Sequence, residues 1–418
     1  MVRTTKRIAC ALTGCAAALT VVFAGPAQAE ARWEALNHAA RDAVKAGDYP
    51  KLRATLIELS PLMPGNVRIV YNLAASDAML HEPPQAFAEL SRLCRMGVIF
   101  DLKSDTDFAS LASSPEFSQA LDCMAKNGET VTRAQLAFTL PGEDLLPEDL
   151  AYDAKTQRFL VSSVRRMQVM DTSGKVLATS NWPILALAID DRRRTLWATT
   201  GWLPHCESCK REDKDKTALL AFNLDTGQRL ARIESPVPGL LGDMTISSKG
   251  DVYVAEGAHG AIFALKRGAL MLERLDAEGE FASPQQPALS ADGKTLFVAD
   301  YLRGIAAIDL ATKAVTWPQP GNDVALSGID GLQRVGDSFI AVQNGTNPQR
   351  IVRISQDLKA QQVLEANWAG LGEPTHGIVV GREYFFLAHT GWNSYEDSGR
   401  KRAGSEPVVS SIWKVSLD

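Results

Sequence analysis

One plan recurs six times between residues 133 and 418: a β-run, a tight turn, a second β-run, and a third run after it. Leu150–Asp153 precedes Arg158–Ser162, and Leu185–Asp190 precedes Thr195–Thr199. Met244–Ser247 precedes Asp251–Ala255, and Pro287–Ser290 precedes Thr295–Ala299. Gly331–Arg334 precedes Ser338–Val342, and Gly377–Val380 precedes Tyr384–Ala388. Turn chemistry separates the runs, as in Asp171-Thr172-Ser173-Gly174, Asp225-Thr226-Gly227 and Asp292-Gly293-Lys294. The units open at about 147, 183, 240, 283, 325 and 373, a spacing near 45. A four-strand unit of that length cannot bury both faces alone, so the repeat predicts a six-bladed β-propeller. The last unit has room for only three strands before the chain stops at Asp418. The alternating run 135–140 is expected to supply its missing outer strand and close the ring, removing an exposed edge.

Residues 30–130 follow a helical period instead. Leu36, Ala39, Ala40, Ala43 and Val44 recur on one face, then Leu52, Leu56, Ile57 and Leu59, then Val70, Leu73, Ala74 and Met79. Pro64-Gly65-Asn66 breaks the run, and Pro84 suits the first turn of a further helix. The Gly47-Asp48-Tyr49 turn, Pro64 and the Tyr71-Asn72-Leu73-Ala74 helix opening resemble tetratricopeptide repeats, with a degenerate third unit around Asp107-Phe108 and Pro115-Glu116-Phe117. A generic helical hairpin bundle fits the same pattern. The expected class is therefore a small all-α domain followed by an all-β propeller.

The first 29 residues read as a secretory signal. Arg3, Lys6 and Arg7 precede an apolar stretch from Ile8 to Phe23, and Ala27-Gln28-Ala29 is a small-residue cleavage site. Leu12-Thr13-Gly14-Cys15 looks like a lipobox, but the apolar stretch before it is too short for lipidation at Cys15. A periplasmic or secreted protein is expected, with no membrane span after the leader. The formal charge of −5 becomes −8 without the three leader cations, and no long basic run compensates, which argues against nucleic acid as a partner.

Of the six cysteines, Cys10 and Cys15 leave with the leader. Cys94, Cys123, Cys206 and Cys209 remain, an even number in an oxidising compartment. Sequence neighbours suggest Cys94–Cys123 and Cys206–Cys209, although spacing alone permits three pairings. Cys206-Glu207-Ser208-Cys209 lacks a second cysteine pair nearby for zinc, so a loop disulfide is the reading for it.

Equivalent positions of propeller blades point at one mouth of the central channel. The residues just before each first strand are Glu148-Asp149, Leu185-Ala186, Gly242-Asp243, Gln285-Gln286, Ile329-Asp330 and Thr375-His376. Acidic groups gathered at one low-dielectric mouth repel unless a cation or proton lies among them. Oxygen donors without cysteine favour Ca²⁺ or Mg²⁺ over zinc. Polar groups lining a watery channel are the plain alternative. There is no Gly-x-Ser-x-Gly elbow for a serine hydrolase.

Pro147-Glu148-Asp149-Leu150-Ala151-Tyr152-Asp153, Asp292-Gly293-Lys294-Thr295-Leu296-Phe297-Val298-Ala299-Asp300 and Ile329-Asp330-Gly331 resemble the senescence-marker-protein, gluconolactonase and regucalcin family. The resemblance implies a divalent cation held by a Glu, an Asn and an Asp, and hydrolysis of a lactone or ester. Glu148 matches the Glu and Asp330 the Asp; Gln285 stands where the family has Asn, one carbon longer. Where relatives carry an Asn-Asp pair lining the substrate pocket, this chain has Gly242-Asp243. The resulting expectation is a metal site of Glu148, Gln285 and Asp330, with Asp330 also the general base. Asp149, Asp243, Gln286 and His376 are candidate substrate contacts. The rival expectation is a non-catalytic interaction or ligand-sensing module, with a peptide held on the helical repeats.

Overall fold

A computed structural model describes residues 31–418, and the expected signal peptide lies outside the described residues. These residues divide into two units. One runs to Gly128 and also takes in Gln319–Ala325; the other comprises Glu129–Pro318 and Leu326–Asp418.

The first unit is helical: α1 (Arg32–Ala46), α2 (Tyr49–Leu59), α3 (Val67–Met79), α4 (Pro83–Arg95) and α5 (Pro115–Asn127). Side-chain caps set several of its starts. Asp48 accepts from Lys51 N, Asn66 from Arg68 N and Ile69 N, and Ser114 from Phe117 N. Each supplies an acceptor to N–H groups that have no partner within their own helix. The core joins Val70, Ala74 and Ala78 of α3 to Leu90 and Leu93 of α4, then to Phe108, Phe117 and Met124. Ala325 is buried in this same core. Arg95 Nε reaches Asp323 Oδ1 at 2.8 Å, and Arg92 Nε donates to the Asn322 carbonyl at 3.1 Å. The repeat spacing places residues 319–325 in the propeller, but this Pro/Gly/Asn segment supplies side chains to the helical unit instead.

Cys94 of α4 and Cys123 of α5 form a disulfide, and Cys206–Cys209 closes a short loop in the second unit. Thiol labelling of denatured, unreduced protein should therefore find no reactive thiol among these four. The 29-residue separation of Cys94 and Cys123 corresponds to roughly 3–4 kcal/mol of loop-closure stabilisation. Cys94→Ala with Cys123→Ala should lower the denaturant midpoint of the helical unit accordingly; an unchanged midpoint would show that the bridge contributes nothing.

The second unit is a six-bladed propeller of four-stranded antiparallel sheets. Blades 1 to 5 span 147–179, 184–234, 241–274, 284–316 and 329–366, each built from consecutive strands. In blade 6, the strands Gly377–Val380, Glu383–His389 and Ser411–Ser416 are joined on the outside by Gln135–Thr139. That strand runs antiparallel to the last, with Gln135 opposite Lys414 and Thr139 opposite Ser411. Leu140 N continues the ladder to Ser410 O at 2.9 Å. Upstream, Val131 bridges Ala366 of blade 5. A chain starting at Glu129 should thus fold as a propeller, whereas one starting at Pro141 exposes the edge of the last strand. Circular dichroism melts check this: equal melting of the two truncated chains would show that the added strand is dispensable.

Between blades the packing is apolar, as where Leu160 and Val169 of blade 1 meet Ile184, Leu196 and Leu220 of blade 2. Charge pairs reinforce it at the rim. Arg194 spans blades 1 and 2, its two terminal nitrogens each 2.7 Å from an oxygen of Asp153. This bidentate pairing holds the Asp153 carboxyl well below the usual carboxylate range. Asp300 is fully buried, and its oxygens accept from the backbone N–H groups of Ala282, Ser283, Leu302 and Arg303. Among the described residues no helix is long and apolar enough to cross a membrane.

Candidate functional site

The first strand of each of blades 1 to 5 breaks register at the same place. The shifts fall between Pro147 and Leu150, Ile184 and Leu187, Leu241 and Met244, Pro284 and Pro287, and Ile329 and Gly331. A β-bulge bends the strand and re-aims side chains that regular alternation would send to the two faces. The ring residues Glu148-Asp149, Gly242-Asp243, Gln285-Gln286 and Asp330 all lie within these bulges. Thr375 and His376 immediately precede the first strand of blade 6.

His376 stands at the centre of the cluster and is fully buried. Its Nδ1 lies 3.0 Å from the Glu148 carbonyl oxygen, which also accepts from Thr375 Oγ1 at 2.8 Å. Only a protonated Nδ1 can donate to a carbonyl, so that contact leaves Nε2 to face the carboxylates. Nε2 is 3.0 Å from Asp243 Oδ1, an ion pair when the imidazole is protonated, and among the described residues it has no hydrogen bond of good geometry. Donor atoms of Glu148, Asp330 and His376 lie within 4.8 Å of one another.

The remaining contacts sort the other ring residues. Trp392 Nε1 donates to Glu148 Oε2 at 2.9 Å. Asn344 Nδ2 donates to Asp330 Oδ2 at 2.6 Å, and Tyr301 Oη to Asn344 Oδ1 at 3.0 Å. Asp149 accepts from its own neighbour Leu150 N and from Leu187 N of blade 2, each at 2.8 Å. Gln286 Oε1 accepts from Leu332 N of blade 5 at 2.7 Å. Asp149 and Gln286 therefore tie their blades to the next one through these backbone bonds. Gln285 turns its amide nitrogen to the carbonyl and hydroxyl of Ser283, at 3.3 and 3.1 Å. Trp392, Asn344 and Tyr301 escape the repeat argument because they follow second strands or lie in a long loop, outside the aligned ring positions.

Burial dominates the electrostatics. It pushes the Glu148 carboxyl up, with the Asp330 charge adding to the effect. Asp330 is raised by burial and by Asp243, against the pull of His376. Burial raises Asp149 to about 6 despite its two backbone N–H donors. Burial alone would lower His376, but the carboxylates of Asp243 and Asp330 outweigh it, and the imidazole is held well above its ordinary value. One imidazolium cannot balance Glu148, Asp149, Asp243 and Asp330 together. A donor set of two carboxylates and an imidazole, with a buried nitrogen turned towards acidic groups, fits a divalent cation.

No protein-family model matches the sequence, and no curated protein sequence matches it either. Among solved structures, the chain is similar to a gluconolactonase from Xanthomonas campestris at 14% identity, over 70% of this chain and 93% of that one, with a TM-score of 0.48. It is similar to regucalcin, a calcium-binding protein from Agrobacterium tumefaciens, at 15% identity over 61% and 86%, with a TM-score of 0.45. Virginiamycin B lyase from Staphylococcus aureus matches at 15% identity over 61% and 82%, with a TM-score of 0.43.

Proposed function

We propose that the channel mouth is the active site of a divalent-cation-dependent hydrolase acting on a small lactone or ester. The observation that carries this reading is the convergence of Glu148, Asp330 and His376 donor atoms within 4.8 Å, with Asp330 and His376 buried and Glu148 half-buried. These three residues would hold the cation; Gln285 donates its amide nitrogen to Ser283, which leaves its carbonyl oxygen as a further candidate ligand. The imidazole nitrogen widens the suitable ions from Ca²⁺ and Mg²⁺ towards Mn²⁺ and Zn²⁺. A bound cation supplies Lewis-acid polarisation of an ester carbonyl.

The protein's own groups supply the proton transfers. Asp330 takes a proton from the attacking water, and its raised pKa brings it closer to neutrality, where a general base is most effective. Water oxygen bonds to the carbonyl carbon, the ester C–O bond breaks, and Asp330 returns the proton to the departing alkoxide. The products are a carboxylic acid and a hydroxyl group, on one molecule if the substrate is a lactone. Asn344, itself held by Tyr301, orients the Asp330 carboxylate. His376, fixed by the Glu148 carbonyl, keeps a positive or metal-directed nitrogen beside Asp243.

Calorimetry with Ca²⁺, Mg²⁺ and Mn²⁺, followed by pH-stat assay of a lactone panel with and without chelator, tests the reading. Stoichiometric binding of one ion and chelator-sensitive turnover are expected. Absence of binding for every ion, with no turnover, would overturn it and leave a ligand-binding or interaction platform as the better account.

A further inference from the structure

Loops from blades 1, 2 and 6 meet around the side chain that touches Glu148. Trp392, in the blade 6 loop, donates its indole N–H to Glu148 Oε2. The rings of His205, in the blade 2 loop, and Trp392 pack edge-to-face at 4.9 Å between centroids, and the His205 ring also lies 6.2 Å from that of Tyr395. His205 Nε2 is 3.1 Å from the Glu396 carbonyl oxygen of the blade 6 loop. The two loops approach so closely that a Cβ on Gly399 would meet Pro204 O at 2.0 Å, and φ there is +78°. Leu146, Val164, Leu203, Trp392 and Tyr395 form one apolar cluster beneath.

The blade 2 loop is itself fixed at two points. The Cys206–Cys209 disulfide closes it immediately after His205. Between those cysteines, Glu207 pairs with Arg166 at 2.6 Å and Arg165 at 3.5 Å, while Arg165 lies over the Tyr395 ring at 5.3 Å. The chain of contact thus runs from the disulfide through His205 and Trp392 to one oxygen of Glu148.

We propose that Trp392 is a positioning residue for Glu148, and that the Cys206–Cys209 loop holds it in place through His205. The inference rests on the cation-site reading above. With Oε2 engaged by the indole, Glu148 offers its other oxygen to a cation, and its rotamer is fixed before the ion arrives. Partners of this kind orient metal-binding carboxylates, and their loss typically weakens metal affinity roughly 10–100-fold. Nothing in the six-fold repeat calls for this device, because only blades 1, 2 and 6 carry it.

The test uses full-length protein and Mn²⁺ alone. Trp392→Phe keeps the ring packed against His205 but removes the N–H donor. Calorimetry should show Mn²⁺ affinity reduced about 10-fold or more, with the melting temperature of metal-free protein close to the parent's. Cys206→Ser with Cys209→Ser should weaken Mn²⁺ binding in the same direction. Combined with Trp392→Phe it should add little, since both changes act on one contact. Paramagnetic Mn²⁺ should also quench tryptophan fluorescence in the parent, and Trp392→Phe should lose most of that quenching. Parent protein that binds no Mn²⁺ overturns this proposal, and together with no binding of Ca²⁺ or Mg²⁺ and no turnover it overturns the site reading as well. Parent protein that binds Mn²⁺, with Trp392→Phe binding equally well and quenching equally, overturns this proposal alone. Equal and additive losses from the cysteine and tryptophan changes would overturn the link through His205.

Discussion

Asp330→Asn is expected to lower lactone hydrolysis by at least about 10³-fold and divalent-cation affinity by at least about 10-fold. The substitution keeps the shape of the side chain, and its remaining oxygen can still accept from Asn344 Nδ2, which donates to Asp330 Oδ2 in the parent. What disappears is the negative charge and the proton acceptor. The fold should persist, because Asp330 sits in a bulge and its carboxylate makes no backbone contact between blades of the kind Asp149 makes. In metal-free protein the variant should melt no lower than the parent, because it removes one of several buried like charges. Calorimetry and a lactone assay on the same preparation decide the matter. Turnover at the parent's rate would remove Asp330 from the chemistry, while a collapsed melting temperature would show that its role is structural.

The metal-free protein is expected to lose stability as pH rises from about 5 to about 8, and a bound divalent cation should restore it. Glu148, Asp149 and Asp330 all have folded-state pKa values raised above their unfolded ones by burial. A group raised in this way binds its proton more tightly when folded, so its contribution is complete below the unfolded pKa, near 4. That contribution is lost as pH climbs through the folded value. His376 follows the same sign, because its raised value means that the folded protein favours the imidazolium. His205 opposes the trend, since burial lowers its pKa, but it is one group against four. Asp153, held far below the usual range, is already ionised throughout and does not contribute to the slope. Thermal melts in chelator should therefore fall by at least about 5 °C between pH 5 and pH 8. Saturating Mn²⁺ should flatten or reverse that slope; a chelated protein equally stable at both values would mean that the cluster is not strained by its charges.

The polar ring illustrates how far a repeat carries. A blade places equivalent residues at equivalent points, so Glu148, Asp243, Asp330 and His376 were legible as one group from alignment of the six units. The bulges that turn Glu148, Asp243 and Asp330 fall at matching points of their blades, which is why these sequence positions line up, whereas His376 precedes a first strand without a bulge. Their roles were less legible. Asp149 and Gln286 occupy the same ring, yet each also accepts from a backbone N–H of the following blade, Leu187 N and Leu332 N. The third donor that meets Glu148 and Asp330 is the His376 nitrogen, which the sequence alone reads as a substrate contact. Whether a side chain points to the channel or to the next blade depends on a backbone N–H some 40 residues away.

Local chemistry alone determined the change from helical to β period near residue 130, the number of blades and the turns between their strands. These follow from hydrophobic spacing and from Asp, Gly and Pro at fixed offsets, which act within a few residues. Only the tertiary structure brought Trp392 to Glu148 across 244 positions. It also brought His205 to Glu396 across 191 positions, and Ala325 into the helical core. Such contacts join loops whose lengths follow no repeat, so no period in the sequence encodes them. They arise because closing the ring brings the first, second and last blades side by side, and buried polar atoms there must find partners in whatever loops the closure supplies.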